Sequence, residues 1–175
     1  MIRKLGLAAI AAGFLISPAL AAEKLTVEIS QGCSFDIALR ADLAPKHVAQ
    51  ITKLAQSGFY NDVVFHRVIE GFMAQTGDPT GTGMGGSNEP DLQAEFTNAH
   101  FARGTVGMAR SSDPNSGNSQ FFIMFDEGGF LDGQYTVWGQ VDEAGMACVD
   151  KITRGDANQN GIVANPDKMT KVTVK

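Results

Sequence analysis

The sequence lacks the features that mark several large classes of protein. It has only two cysteines, Cys33 and Cys148, and their spacing is not that of a zinc site or a Cys-x-x-Cys redox pair. It has no run of basic residues and a net charge of −5, which argues against nucleic acid or anionic membrane as partners. No Ser, His and Asp set stands out as that of a hydrolase.

The sequence also lacks the alternation of strands and helices that predicts a parallel sheet, and it has no internal repeat or interdomain linker. Instead it contains 20 glycines, which suits a β protein rich in turns. Apolar residues alternate with polar ones at 25–29 and again at 35–39, on either side of a turn at Gln31-Gly32. This pattern predicts a β-hairpin.

Further apolar segments predict six more strands and two helices. The strands are expected at about 63–68, 72–77, 104–109, 120–124, 136–141 and 170–174. One helix begins at Pro45, carries Val48, Ile51, Leu54 and Ala55 on one face, and ends at Gly58, and a second lies near 146–152. We therefore predict a mainly β fold, a closed eight-stranded antiparallel barrel with two capping helices.

The N-terminus has the pattern of a secretory signal peptide. Arg3 and Lys4 precede an apolar run at 5–16 that is too short to span a bilayer, and Ala19-Leu20-Ala21 follows as a small-x-small cleavage site. We expect residues 1–21 to be removed, which leaves 22–175 as one exported domain without a membrane anchor; the alternative is an uncleaved anchor. Export makes a disulfide between the two cysteines chemically possible. The sequence leaves open whether Cys33 and Cys148 pair or remain two small apolar side chains.

Two motifs carry the functional information. Residues 65–75 read FHRVIEGFMAQ, and residues 119–123 read SQFFI. The first places a permanent cation, two bulky apolar side chains and an amide on two short strands joined by a Gly turn, so it can aim a guanidinium across an apolar pocket. The two motifs, in this order and at this distance, resemble those of the cyclophilins, which are peptidyl-prolyl cis-trans isomerases. The resemblance extends from about residue 25 to residue 174.

The resemblance implies a function for individual residues. Arg67 matches the catalytic arginine, Gln75 matches the amide that binds substrate backbone and helps to hold that arginine, and His66 is a third candidate for the catalytic group. The expected substrate-binding residues are Phe72, Met73, Ala109, Arg110, Phe122, Phe130, Leu131 and Tyr135. The expected partners are proline-containing segments of unfolded or folding exported proteins. We expect a monomer that needs no cofactor and no metal.

The resemblance also bears on compartment and on ligand selection. The run Met108-Ala109-Arg110 and the signal peptide are similar to those of bacterial members, so we expect a periplasmic protein; secretion or the endoplasmic reticulum lumen is the alternative. Phe130 stands where many members have a Trp that gives cyclosporin an apolar wall and an N–H donor, and Tyr135 stands where many have His. A Phe side chain provides the same apolar surface but has no N–H group that could donate a hydrogen bond.

Simpler interpretations of the same residues remain open. The aromatic residues could be barrel core, Arg67 could be a structural ion-pair partner, and His66 could be a structural histidine facing away from Arg67. A rival function is a non-catalytic proline-binding or chaperone module on the same barrel.

Two further motifs are look-alikes. Glycines 81, 83 and 86 match a dinucleotide fingerprint but lack the strand and helix it requires. Residues 156–167 resemble a calcium loop, yet Pro166 and Asp167 depart from it, so a turn is the alternative.

Overall fold

The computed structural model describes residues 24–175, so the predicted signal peptide at 1–21 lies outside the described residues. Eight strands form one antiparallel sheet, and two α-helices pack against it. The strands are β1 (Lys24–Ile29), β2 (Cys33–Leu39), β3 (Arg67–Ile69), β4 (Met73–Thr76), β5 (Thr105–Met108), β6 (Phe121–Met124), β7 (Val137–Val141) and β8 (Met169–Val174). The helices are α1 (Pro45–Gln56) and α2 (Glu143–Val149). Neither of these helices is long and apolar enough to cross a membrane.

The strand and helix predictions are largely confirmed. β1 and β2 form the predicted hairpin, and Gly32 supplies the positive φ (74°) that its turn requires. Pro45 occupies the first turn of α1, and the predicted apolar face of that helix is buried against β7 and β8. α2 begins three residues earlier than expected because the Asp142 carboxylate accepts the N–H of Gly145 and caps the helix.

The prediction of a closed barrel is wrong, because the sheet is an open half-barrel. Its strand order is β3-β4-β6-β5-β7-β2-β1-β8, and closure would require a ladder between β3 and β8. Instead the outer edge of β3 pairs with an irregular segment through the bridge Arg67–Ile162, and Asn160 and Gly161 in that segment have positive φ. A segment in this conformation cannot continue a ladder, and the number of strands in a sequence does not show whether the edges meet.

The two cysteines lie together in the fold. Cys33 begins β2, Cys148 lies on α2, and the structure joins them in a disulfide across 115 residues of sequence. In the loop-entropy account a cross-link over this length stabilises the fold by up to about 5 kcal/mol. The disulfide covalently joins α2 to the β1–β2 hairpin.

The apolar interior is divided into two clusters. The larger fills the half-barrel between the sheet and the two helices. The smaller lies on the face of β4, β5 and β6 that carries the sequence motifs. Its buried members are Met73, Phe101, Phe122, Met124, Leu131 and Val137. We call this smaller cluster the apolar pocket, because half-buried Phe72 and Tyr135 continue it to the surface.

Candidate active site

The site is built on one row of residues that crosses the sheet. In the strand register Arg67 lies opposite Gln75, and Gln75 lies opposite Phe122. Residues opposite one another in an antiparallel ladder point to the same face of the sheet. The two sequence motifs are therefore neighbours, and the cation, the amide and the aromatic ring share one surface.

Arg67 is held in one orientation by three hydrogen bonds. Its Nε donates to the backbone oxygen of Asn160 (3.0 Å) and its Nη2 to the Asn160 side-chain oxygen (2.9 Å). Its Nη1 donates to Gln75 Oε1 (3.2 Å). Because a guanidinium has five N–H groups, one N–H on each terminal nitrogen stays free for a ligand.

The charge of Arg67 has no carboxylate partner among residues 24–175, whereas Arg40, Arg103 and Arg154 each form an ion pair there. Burial lowers the pKa of the Arg67 guanidinium, but an arginine remains charged at any working pH. A cation held by neutral amides keeps its full charge available to a bound molecule.

A second layer of amides fixes Gln75. Its Nε2 donates to Gln120 Oε1 (2.9 Å), and Gln120 Nε2 donates to the backbone oxygens of Gly83 (3.0 Å) and Gly85 (2.8 Å). The orientation of each amide is thereby set by the next one. The glycine-rich stretch that resembled a dinucleotide motif therefore fixes Gln120, which in turn orients Gln75 and Arg67.

Asp78 holds that glycine-rich loop in shape. Its carboxylate is fully buried and accepts the backbone N–H groups of Thr80, Thr82, Gly83 and Gly85. Burial alone would raise the pKa of Asp78, but hydrogen bonds from Thr80, Gly85 and Gly83 lower it to about 2. The carboxylate is therefore charged at neutral pH, and the loop 78–86 is an ordered part of the site.

The apolar pocket lies beside the arginine. Phe101 stacks on Phe122 with ring centroids 5.8 Å apart, and Tyr135 meets the edge of Phe122 at 5.7 Å. Gly107 makes this possible, because a Cβ there would come within 2.5 Å of the Phe122 ring. Phe130 lies at the mouth, 65% exposed, with its ring centroid 5.5 Å from that of Phe72.

Ala109 and Arg110 line a groove of about 480 Å³ that also includes Gln75, Gln120 and the 83–87 loop. The Arg110 guanidinium lies 4.4 Å from the centroid of the Tyr135 ring and donates to the backbone oxygen of Gln134. The site therefore has a polar groove and an apolar pocket, with Arg67 beside both.

Comparisons with known proteins agree with this geometry. The sequence model described as "Cyclophilin type peptidyl-prolyl cis-trans isomerase/CLD" matches residues 24–174. This chain belongs to the cyclophilin-type peptidyl-prolyl cis-trans isomerases. A relative from Brucella suis biovar 1, "Probable peptidyl-prolyl cis-trans isomerase", is 61% identical over 148 residues, which is 78% of this chain and 75% of the relative. "Peptidyl-prolyl cis-trans isomerase-like 1" from Emericella nidulans is 41% identical over 137 residues, or 75% of this chain and 82% of that protein.

Solved cyclophilin structures share the fold. A cyclophilin-type isomerase from Cryptosporidium parvum has a TM-score of 0.77 at 25% identity and covers 87% of this chain and 97% of its own. A second structure of that protein, determined in the presence of the dipeptide Ala-Pro, gives the same TM-score at 26% identity, with 87% and 98% covered.

The structure does not place His66 on the substrate side of this isomerase. The imidazole is buried behind β3, and a Cβ added at Gly83 would come 3.4 Å from its Nε2, so the ring packs under the loop. Within residues 24–175 neither ring nitrogen has a hydrogen-bond partner, and burial lowers the pKa of His66. Alternation along the chain points the ring away from Arg67, which favours a packing function, and the catalytic function expected of His66 stays a prediction.

Sequence reasoning missed Asn160, Gln120, Asp78 and Phe101. The only signal for Asn160 was the Asn-Gly turn inside the apparent calcium loop, and the turn interpretation is the one that the structure shows. The Asp167 carboxylate, twelfth in that loop, instead accepts hydrogen bonds from Ser30, Gln31 and Thr153. Residues 24–175 contain no cluster of His, Cys, Asp or Glu that could hold a metal ion.

Proposed function

We propose that this isomerase accelerates rotation about X-Pro bonds in exported polypeptides, with Arg67 as the hydrogen-bond donor to the prolyl nitrogen. Resonance gives the peptide bond a rotation barrier of roughly 18–20 kcal/mol. A donor aimed at the nitrogen favours its pyramidal form, in which the double-bond character is lost. Because that form occurs only in the transition state, the hydrogen bond lowers the barrier without tightening the ground state.

The observation that carries this proposal is the hydrogen bonding of Arg67. Within the described part of the chain, two of its N–H groups are free and no carboxylate neutralises its charge, and it lies on the same face as Phe122 of the apolar pocket. A proline ring in that pocket would bring its nitrogen towards the free N–H groups, while the chain on the other side of the bond turns. The presence of Ala-Pro with the related Cryptosporidium protein supports a proline-containing peptide as ligand.

We further propose that the protein works in the periplasm after removal of residues 1–21. The charged and apolar pattern of the N-terminus and the disulfide between Cys33 and Cys148 support an oxidising, extracytoplasmic compartment. Cell fractionation with N-terminal sequencing would test this: a mature chain that begins near residue 22 in the periplasmic fraction is expected. Full-length protein in the membrane fraction would contradict it.

Catalysis can be separated from proline binding or chaperone action by a proline-limited refolding assay. A catalyst at one hundredth of the client concentration should speed the slow refolding phase, because it turns over, and should leave the final yield unchanged. A binding module should act only near equal concentrations and change the yield. If refolding were accelerated only at protein concentrations near that of the client, the isomerase mechanism would be contradicted and the binding module would be supported.

A further inference from the structure

Ile162 is an exposed apolar side chain beside the arginine. It is 56% exposed, in a chain whose other large aliphatic side chains within 24–175 are mostly buried. It follows Asn160 and Gly161 in the turn that holds Arg67. The sequence motifs give no reason for an isoleucine at this place.

The backbone hydrogen bonds show where Ile162 points. Val68 N–H donates to the Gly161 oxygen (2.8 Å) and Val163 N–H to the His66 oxygen (3.1 Å), so Arg67 and Ile162 face each other between these two bonds. This is the non-hydrogen-bonded type of antiparallel pair, which brings the two side chains closest together. Ile162 therefore lies on the substrate face, on the side of Arg67 opposite Gln75.

Ile69 enlarges this apolar surface. It is two residues from Arg67 on β3 and therefore shares its face, and it is only partly buried. A Cβ added at Gly161 would come 2.5 Å from Ile69 Cγ1, so Ile69 packs directly over the turn that presents Ile162. Ile162 extends the row that runs from Phe122 through Gln75 and Arg67, and Ile69, opposite Met73, lies in the next row on the same face.

We propose that Ile162 and Ile69 form a subsite for an apolar side chain of the substrate, on the flank of the proline that points away from the 83–87 groove. This rests on the proposed function, because it assumes that the proline lies in the apolar pocket beside Arg67. A peptide that passes over the arginine has the polar groove on one side and the two isoleucines on the other. Transfer of an apolar side chain onto this surface removes water from that side chain and from the two isoleucines, whereas the amide of a Gln side chain would lose hydration against them without gaining a hydrogen bond.

The test uses short peptides with one X-Pro bond and either Leu or the uncharged polar residue Gln placed on each side of the proline in turn. Isomerisation rates by NMR exchange give the Leu:Gln preference in kcat/KM for each flank. We expect the wild-type protein to prefer Leu on one flank, and Ile162→Thr to reduce that preference by about threefold to tenfold, which corresponds to roughly one or two buried CH₂ groups. Threonine keeps the β-branched shape, and Ile162→Leu should keep the preference.

Phe96→Thr is the matched control, because Phe96 is another exposed apolar side chain (42%) that lies outside the site. An unchanged preference at both flanks in Ile162→Thr, or an equal loss in Phe96→Thr, would overturn the subsite. The dissociation constants of the same peptides, from chemical-shift titration, separate the two proposals. If the wild type bound peptides without isomerising them, the proposed function would fail, and the Leu:Gln ratio in binding would still decide the subsite.

Discussion

The two sides of the active site are built from different interactions. On the arginine side, Asn160, Gln75 and Gln120 form a continuous chain of hydrogen bonds that ends on the backbone of the 83–85 loop. On the aromatic side, the rings of Phe72 and Phe130 make apolar contact only, and Phe130 is mostly exposed. Hydrogen bonds fix direction, whereas apolar contact is non-directional and tolerates changes of shape.

This difference separates catalysis from ligand selection. In the proposed mechanism the transition state needs a donor at a fixed angle to one nitrogen atom, so a small displacement of Arg67 should be costly. The aromatic mouth needs only apolar area, so substitution there should change which ligands bind more than how fast the bond turns.

Removal of the donor should have the largest effect. We expect Arg67→Ala to lower kcat/KM for an X-Pro peptide by about 10²- to 10³-fold, because the lost hydrogen bond exists only in the transition state. Arg67→Lys should recover little of this, since a single ammonium on a flexible stem cannot be held by Asn160 and Gln75 together. An unchanged thermal unfolding curve is the control for folding. Near-normal rates in Arg67→Ala would disprove the mechanism.

Phe130→Trp tests the aromatic side. In the family that this chain resembles, a Trp at this place donates its indole N–H to cyclosporin, which Phe130 cannot do. A buried acceptor left unpaired costs roughly 1–3 kcal/mol, so we expect Phe130→Trp to tighten cyclosporin binding by about tenfold to a hundredfold. Turnover of a small peptide should change less than about twofold, because the proline ring needs only apolar surface. Inhibition of the wild type by nanomolar cyclosporin would show that Phe130 does not determine the affinity for cyclosporin.

Asn160→Ala tests how far catalysis depends on the orientation of the arginine. It removes the acceptor of the Arg67 Nη2 hydrogen bond and should lower kcat by about tenfold while KM stays nearly constant. The positive φ of Asn160 (54°) adds a backbone cost to Ala, so Asn160→Gly, which removes the same acceptor without that cost, serves as a second variant and should lower kcat equally. Asn158→Ala is the matched control in the same turn. Equal rates in Asn160→Ala and Asn158→Ala would contradict the positioning function.

Asn160 also shows what the sequence could and could not predict. Period-two alternation and the Pro45 helix start predicted nearly all strands and helices, because those patterns follow from local burial. The sequence predicted a closed barrel, in which β3 would pair with β8. This was wrong because the pairing of the two sheet edges depends on long-range geometry. The site residues on strands β3, β4 and β6 were found through the two sequence motifs. Asn160 was missed because it lies in a loop 93 residues along the chain from Arg67, and the two meet only in the folded structure.

The same limit applies to His66 and Asp78. The sequence made His66 a catalytic candidate and gave no function for Asp78, because burial and hydrogen-bond partners do not follow from residue order. Asp78 is buried yet charged because four backbone N–H groups surround it, and His66 is buried and has no hydrogen-bond partner within residues 24–175. A sequence contains the groups but not the direction in which each one faces.

The smallest effect is expected from pH. Arg67 does not titrate in the usable range, and His66 is shielded from substrate, so kcat/KM should vary less than about twofold from pH 6 to 9. Stability should behave differently. Burial lowers the pKa of His66 below its ordinary value of about 6.5. Above pH 6.5 the His66 ring is neutral in both the folded and the unfolded state, so the free energy of unfolding has its full value. As the pH falls the unfolded chain takes up a proton that the buried ring resists, and the free energy of unfolding decreases.

Two measurements check this separation of activity from stability. NMR titration of the His66 ring should give a midpoint below 6.5. Denaturant unfolding should show a free energy that declines as the pH falls below 6.5, and His47, whose pKa burial also lowers, contributes in the same direction. His100 provides an internal reference, because its pKa is raised by hydrogen bonds to Asp132 and Glu127, and its midpoint should lie above 6.5. A steep rise of kcat/KM near pH 6.5 would instead make His66 a catalytic group and would require its ring to reach the substrate face.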